Sequence, residues 1–138
     1  MEAFDAYSHA IASVVIFTLI TLVISPLSAL VKMNKGLPPG ATPEQDYADA
    51  AYRLNRAYLN CTETLPAFVA VVGAAILLGV SPYWVNVLAS IALVARIIML
   101  IVHVRGMGGP NMSLRTFAYV GGWAPMLIIG LMALAAAF

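Results

Sequence analysis

Charged side chains are scarce in this sequence. Asp, Glu, Lys and Arg together make up only 9% of its 138 residues, whereas about a quarter of an ordinary soluble domain is charged. Hydrophobic residues make up 62% of the chain and lie in long, nearly uninterrupted blocks. The composition therefore excludes an ordinary soluble domain and predicts an integral membrane protein with a single domain, residues 1–138, surrounded by the lipid bilayer.

Basic clusters and cysteine pairs are also missing. The seven Lys and Arg residues are scattered and the net charge is +1, so nucleic acid is not a predicted partner. The one cysteine, Cys61, excludes an intrachain disulfide and a multi-cysteine metal site, and we interpret it as a small packing residue. Two distant histidines and an isolated glutamate do not form a ligand set, so no metal is predicted.

Four apolar segments are each long enough for the ~20 residues that a helix needs to cross a bilayer. We predict an all-α, up-down-up-down bundle with transmembrane helices at about residues 6–31, 46–78, 83–104 and 114–138. Thr42 as N-cap, Pro43 at the first position and Gln45 have the spacing of a capping box, which predicts a helix start there, and the second helix continues from about Asp46 through its membrane part. Either Asn111 or Ser113 is predicted to cap the fourth helix.

The distribution of Lys and Arg predicts the orientation of the bundle. The two loops that carry these residues, at 32–49 and 105–113, fall on the same side, while the turn at 79–82 and both termini carry none. Because basic loops are retained on the cytoplasmic side of a membrane, we expect both loops in the cytoplasm and both termini outside.

A polar stripe interrupts the second apolar segment. Arg53, Arg56, Asn60 and Glu63 follow at spacings of three, four and three, which places them on one helix face within an arc of roughly 80°. The two arginines have the ordinary explanation of contact with lipid phosphates at the membrane boundary. Their alignment with Asn60 and Glu63 favours a site for a zwitterion with excess negative charge, because guanidinium groups bind carboxylates and a carboxylate binds an amine.

Three further residues are candidates for chemistry. Arg96 and Glu63 are predicted to lie at similar depth in an antiparallel hairpin, where they form either an ion pair or ligand contacts. His103 shares a helix face with Arg96 and is either a hydrogen-bonded boundary residue or a base. Arg115 lies in the first turn of the fourth helix, where it contacts a lipid phosphate or favours a bound anion such as a thiolate.

The segment RLNRAYLNCTETLPAF, residues 53–68, resembles the second-helix signature of the MAPEG family, the membrane-associated proteins in eicosanoid and glutathione metabolism. Arg56, Asn60, Glu63 and Pro66 match that signature. The later run from Arg96 through PNMSLRTFAYVGG is similar to the third and fourth helices of the family. The resemblance covers roughly residues 6–138.

The resemblance implies a homotrimer that binds glutathione between neighbouring subunits near the cytoplasmic side. It implies a bacterial inner-membrane glutathione transferase that uses glutathione as co-substrate, takes a lipophilic electrophile from the bilayer, and in some members reduces lipid hydroperoxides. Arg115 is then the candidate for stabilising the thiolate. The implied glutathione-binding residues are Arg53, Arg56, Asn60, Glu63, Arg96 and His103.

Departures from the family pattern keep other functions open. Many members have tyrosines where this chain has Thr64, Met99 and His103, which leaves a family-like membrane scaffold without catalysis as one alternative. A small proton-coupled transporter, with Glu63 as the coupling residue, is the other.

Overall fold

The computed structural model describes residues 2–107 and 114–138. One short helix, α1 (Glu2–Asp5), precedes four long ones. These are α2 (Ser8–Asn34), α3 (Ala50–Leu77), α4 (Pro82–Val104) and α5 (Leu114–Ala136). Each long helix has the length and hydropathy needed to cross a membrane, which confirms the predicted four-helix membrane bundle.

The two central helices are α3 and α4, each of which packs against all three other long helices. Small residues on α4, including Ala89 and Ala92, are fully buried, and small side chains let neighbouring helix backbones approach closely. Between α2 and α3, Phe17 and Phe68 meet edge to face with their ring centroids 6.1 Å apart. The buried contacts therefore form one core along the length of the bundle.

The start of α3 differs from the prediction. The Asp49 carboxylate accepts a hydrogen bond from the Ala51 backbone N–H at 2.9 Å and so caps a helix that begins at Ala50. Residues 41–49 are not helical, because the Asp46 carboxylate accepts from the Ala48 N–H at 2.8 Å and forms a turn instead. The predicted capping box at Thr42 is therefore wrong.

The loop before α3 is also fixed by charge. The Lys35 ammonium, just after α2, forms a salt bridge with the Asp49 carboxylate. Lys35 also donates a hydrogen bond to this carboxylate, which is the main reason that the pKa of Asp49 lies below its usual value. The hydrogen bond from the Ala51 N–H lowers this pKa further. The end of α2 and the start of α3 are thus joined through one carboxylate.

The opposite end of the bundle, which we call the hairpin end, holds the turn at residues 78–81 between α3 and α4. The Tyr7 hydroxyl donates a 2.6 Å hydrogen bond to the Val80 carbonyl in this turn. The Asn86 amide donates to the Ala6 carbonyl at 2.7 Å and accepts from the Ala10 N–H at 2.9 Å. These bonds attach the start of α2 and the residue before it to the turn and to the start of α4.

We call the other end, with residues 35–49 and Arg105, the long-loop end. Residues 105–107, which follow α4, lie there, and the predicted caps Asn111 and Ser113 are outside the described residues. Both boundary arginines of the α3 stripe lie near this end, since α3 begins at Ala50.

Candidate functional site

The polar stripe lies on one uninterrupted stretch of α3, as its spacing predicts. The side chains of Arg53, Arg56 and Asn60 are half-buried, whereas Glu63 is exposed on the surface of the single chain. The stripe therefore runs from the start of the helix toward the bundle surface. Its four members have different surroundings and different partners.

Arg53 has three hydrogen bonds to backbone carbonyls. Its guanidinium donates to Val104 at 3.1 Å, to Tyr47 at 2.8 Å and to Ala48 at 2.7 Å. It also packs so closely on Gly106 that a Cβ atom there would lie 3.0 Å from its Cδ. Arg53 thus ties the end of α4 to the start of α3, and any ligand contact has to share the guanidinium with these carbonyls.

Arg96 is the largest fully buried side chain, with an exposed fraction of 1%. Its Nη1 donates to the Asn60 Oδ1 at 3.1 Å and to the Met99 sulfur at 3.5 Å. Its guanidinium carbon lies 5.1 Å from the centroid of the Tyr119 ring, a cation–π distance. Met99, which occupies a tyrosine position of the family pattern, therefore supplies an acceptor to Arg96.

The predicted ion pair between Arg96 and Glu63 is wrong. Within residues 2–107 and 114–138, the one salt bridge is that between Lys35 and Asp49. Similar depth does not suffice, because the rotation of α3 about its axis turns Asn60 toward Arg96 and leaves Glu63 on the surface. The Glu63 carboxylate is accordingly accessible to a ligand or to a second molecule.

The contact with Arg96 fixes the chemistry that Asn60 can offer. A guanidinium only donates hydrogen bonds, so the amide oxygen of Asn60 is the atom that faces Arg96. The amide NH₂ group is then the part of Asn60 that remains for a ligand. Asn60 is therefore suited to bind a carboxylate or carbonyl oxygen, and less suited to bind an amine.

A second group of polar side chains, with two guanidinium groups and one imidazole ring, lies at the long-loop end. The His103 ring is buried, and its Nδ1 donates to the Met99 carbonyl at 3.0 Å, which leaves Nε2 as the acceptor of the neutral ring. Arg56 of α3, His103 of α4 and Arg115 of α5 lie in the parts of three mutually packed helices that are nearest the long-loop end. Two guanidinium groups at one end of the bundle favour an anion there.

Arg115 has a defined position in this group. Its guanidinium carbon lies 4.1 Å from the centroid of the Tyr47 ring, on the segment that precedes α3. The ring face attracts the cation and sets its orientation. Arg115 is half-buried, so its charge is only partly screened by solvent.

Three residues that shape the site were not predicted from the sequence: Tyr47, Tyr119 and Gly122. A Cβ atom on Gly122 would lie 2.7 Å from the Arg96 Nε, so only glycine leaves room for this guanidinium. Gly122 and Tyr119 are three residues apart and share a helix face. A small residue on a buried helix face indicates close approach, and that signal was available in the sequence.

Comparison with known proteins identifies the family of the chain. The model of the MAPEG family matches residues 9–135, which is nearly the whole chain. The chain belongs to the MAPEG family. No curated protein sequence gives a significant match. MAPEG proteins include glutathione transferases and related proteins, some of them without catalytic activity, and the MAPEG signature Arg56, Asn60 and Glu63 lies on the α3 stripe.

Proposed function

We propose that this MAPEG protein is a glutathione transferase that joins the glutathione thiolate to lipophilic electrophiles, with reduction of lipid hydroperoxides as a second use of the same thiolate. The observation that carries the proposal is the placement of Arg56, His103 and Arg115 near the long-loop end of three helices that pack against one another. Glutathione has two carboxylates, one ammonium and one thiol, so its binding site needs more cations than anions.

The α3 stripe supplies groups for each charged part of glutathione. In the proposed complex, the Arg56 guanidinium binds a carboxylate in a forked geometry. The Asn60 NH₂ group donates to an oxygen while Arg96 holds the amide oxygen. The exposed Glu63 carboxylate accepts from the glutathione ammonium. Arg53 and Arg96 contribute by positioning the backbone and Asn60.

Arg115 is the proposed catalytic residue. A cation close to a thiol lowers the pKa of the thiol and so increases the thiolate population at neutral pH. The thiolate then attacks an electrophilic carbon, the carbon–leaving group bond breaks, and the leaving group departs as an anion. The orientation that the Tyr47 ring gives the Arg115 guanidinium supports this role, and the His103 Nε2 is a further acceptor at the same end of the bundle.

The exposure of Glu63 supports an assembly of several subunits, and we propose that this assembly is a homotrimer. Glu63 is exposed on the single chain although it lies in a helix that can cross a membrane, and an unpaired carboxylate facing lipid is costly. A glutathione molecule held between neighbouring subunits at the long-loop end would cover this carboxylate. The bilayer then supplies the lipophilic electrophile to the same boundary.

The test measures the conjugation of glutathione with an aryl halide by the detergent-solubilised protein. The glutathione thiolate is followed by its absorbance. Arg115→Ala should lower kcat by about 100-fold, as the loss of one charge-stabilising donor does, with a smaller change in KM for glutathione. Arg56→Ala should chiefly raise that KM. Arg105→Ala, which removes an exposed arginine after α4, is the matched control and should keep wild-type kinetics.

Several outcomes would contradict the proposal. A folded wild-type protein that neither binds glutathione nor forms the conjugate is not a glutathione transferase. Binding without conjugation would point to a scaffold. Wild-type rates in both Arg115→Ala and Arg56→Ala would show that the assigned roles are wrong.

A further inference from the structure

The turn at residues 46–49, which we call the Tyr47 turn, leads into the start of α3. The Asp49 N–H donates to the Asp46 carbonyl at 3.1 Å, and the Ala48 N–H donates to the Asp46 carboxylate at 2.8 Å. Hydrogen bonds of these two kinds hold the central residues of a turn in one backbone conformation. The direction in which the Tyr47 side chain leaves the turn is therefore set by the backbone.

The Tyr47 ring is in contact with a residue that lies far away in the sequence, Arg115 in the first turn of α5. The Arg115 guanidinium carbon is 4.1 Å from the centroid of this ring, closer than the 5.1 Å between Arg96 and the Tyr119 ring. An arginine side chain has many rotamers, and a cation–π contact favours those that place the guanidinium over the ring. The Tyr47 turn thus restricts the position of the Arg115 charge.

A second aromatic ring supports Tyr47. The Tyr52 ring meets the Tyr47 ring edge to face, with the centroids 5.1 Å apart and an interplanar angle of 89°, which is a favourable geometry for two aromatic rings. Tyr52 lies in the first turn of α3 and is buried. The ring that contacts Arg115 therefore packs on a side chain that is fixed in the bundle.

Arg53 holds the backbone of the Tyr47 turn. Its Nη1 donates to the carbonyls of Tyr47 and Ala48, while its Nε donates to the Val104 carbonyl at the end of α4. A guanidinium is planar and presents its donors in a rigid fork, so the three carbonyls are held in one arrangement. Arg53 can therefore influence Arg115 through Tyr47, without a contact of its own with glutathione.

We infer that Tyr47 is a positioning residue for the thiolate, and that Arg53 acts on the thiolate through Tyr47. The inference rests on the proposed function, in which Arg115 stabilises the glutathione thiolate. A charge stabilises a developing anion most when it is already in place, because no reorganisation is then needed during the reaction. The Tyr47 ring holds the Arg115 guanidinium in place before glutathione binds.

The experiment follows the absorbance of the glutathione thiolate as a function of pH, in the detergent-solubilised, full-length protein at saturating glutathione. Tyr47→Leu removes the ring and keeps an apolar side chain. It should lower the thiolate fraction at neutral pH by about threefold to tenfold, as expected for one lost cation–π contact, and move the titration to higher pH. Tyr47→Phe keeps the ring face and should recover most of the thiolate that Tyr47→Leu loses.

Two further variants separate positioning from general effects on the protein. Arg53→Lys keeps the charge but cannot reproduce the rigid fork that holds three carbonyls. It should move the titration in the same direction as Tyr47→Leu, and it tests the inference even if Tyr47→Leu fails to fold. Tyr83→Leu is the matched control, because Tyr83 is an exposed tyrosine in a similar edge-to-face pair, with Trp84, at the hairpin end. It should titrate like the wild type.

A double variant shows whether Tyr47 acts through Arg115. In the Arg115→Ala background, Tyr47→Leu should cause no further loss of thiolate, because two residues that act as a unit are not additive. A further loss of the same size would overturn the inference. A wild-type titration in both Tyr47→Leu and Arg53→Lys would overturn the inference alone, whereas a wild-type protein that forms no glutathione thiolate would overturn the proposed function as well.

Discussion

Arg96 is a charged side chain held in the middle of the bundle without a carboxylate partner among the described residues. Its charge is compensated by weaker contacts with the Asn60 oxygen, the Met99 sulfur and the Tyr119 ring. Its Nε has no hydrogen-bond partner in the described residues and packs against Gly122. The position of Asn60 therefore depends on a tightly packed cation.

Gly122→Ala is expected to disturb this arrangement. A methyl group there would lie 2.7 Å from the Arg96 Nε, so the guanidinium has to move and its bond to Asn60 is lost. Overpacking of a buried site costs about 1–3 kcal/mol. We expect a lower thermal unfolding midpoint in detergent and, if Asn60 binds glutathione, a raised KM for glutathione.

Gly121→Ala is the matched control for this prediction. The added methyl group would lie 3.7 Å from the Ala95 Cβ, which is an ordinary van der Waals contact. Both changes replace a helical glycine by alanine and gain a similar helix propensity. Equal unfolding midpoints for the two variants would show that the close packing of Gly122 on Arg96 does not contribute to the stability of the protein.

At the residue scale, the sequence predicted the stripe but not its partners. The periodicity of one helix determines which of its own residues share a face, and this placed Arg53, Arg56, Asn60 and Glu63 together. It carries no information about the rotation of a neighbouring helix. The sequence therefore could not show that Arg96 meets Asn60 and leaves Glu63 at the surface.

At the element scale, the start of α3 is set by two nearby carboxylates. Asp46 closes a turn and Asp49 caps the helix, so the earlier Thr42 signal has no helix to cap. The four long helices were predictable because a helix satisfies its backbone hydrogen bonds internally, as the hydrocarbon region requires. The first residue of α3 was not predictable, because Asp46 and Asp49 can each cap a helix. Only the folded loop shows that Asp49 is the cap.

Asp49 should make the stability of this boundary depend on pH. Its pKa is lower in the folded protein because of Lys35 and the Ala51 N–H, so its stabilising contribution is present above the unfolded pKa of about 4 and lost as pH falls through the folded value. Asp49→Asn keeps a capping oxygen but removes the charge. The wild-type protein should have the higher unfolding midpoint at pH 6, and the difference should shrink toward pH 3.

Asp49→Ala is the companion variant, because it removes the cap as well as the charge. It should unfold at a lower temperature than Asp49→Asn at both pH values. A constant difference between the wild type and Asp49→Asn from pH 6 to pH 3 would contradict the role assigned to the salt bridge with Lys35.

At the scale of the whole molecule, the two ends of the bundle differ in chemistry. The hairpin end is held by hydrogen bonds from Tyr7 and Asn86, whereas Arg53, Arg56 and Arg115 lie near the long-loop end. We expect the long-loop end to face the cytoplasm, because the basic residues of the loops lie there.

Labelling of single introduced cysteines in intact cells tests this orientation. Cys61 is fully buried, so the native thiol gives little background with a membrane-impermeant reagent. Ser81→Cys, in the exposed hairpin turn, should react from outside, and Glu44→Cys, in the exposed loop before α3, should react only after lysis. The reverse pattern would show the opposite orientation.

The buried Arg96 also has a consequence for biogenesis. If α4 left the translocon alone, its guanidinium would enter lipid at a cost of at least ~2.5 kcal/mol on insertion scales. The four-residue turn at 78–81 keeps α3 beside α4, and α3 brings the Asn60 oxygen that accepts from Arg96. Release of the two helices as a pair adds the Asn60 oxygen to the Met99 sulfur that α4 itself supplies, before α5 arrives. Tyr119 and Gly122 then complete the enclosure of this charge.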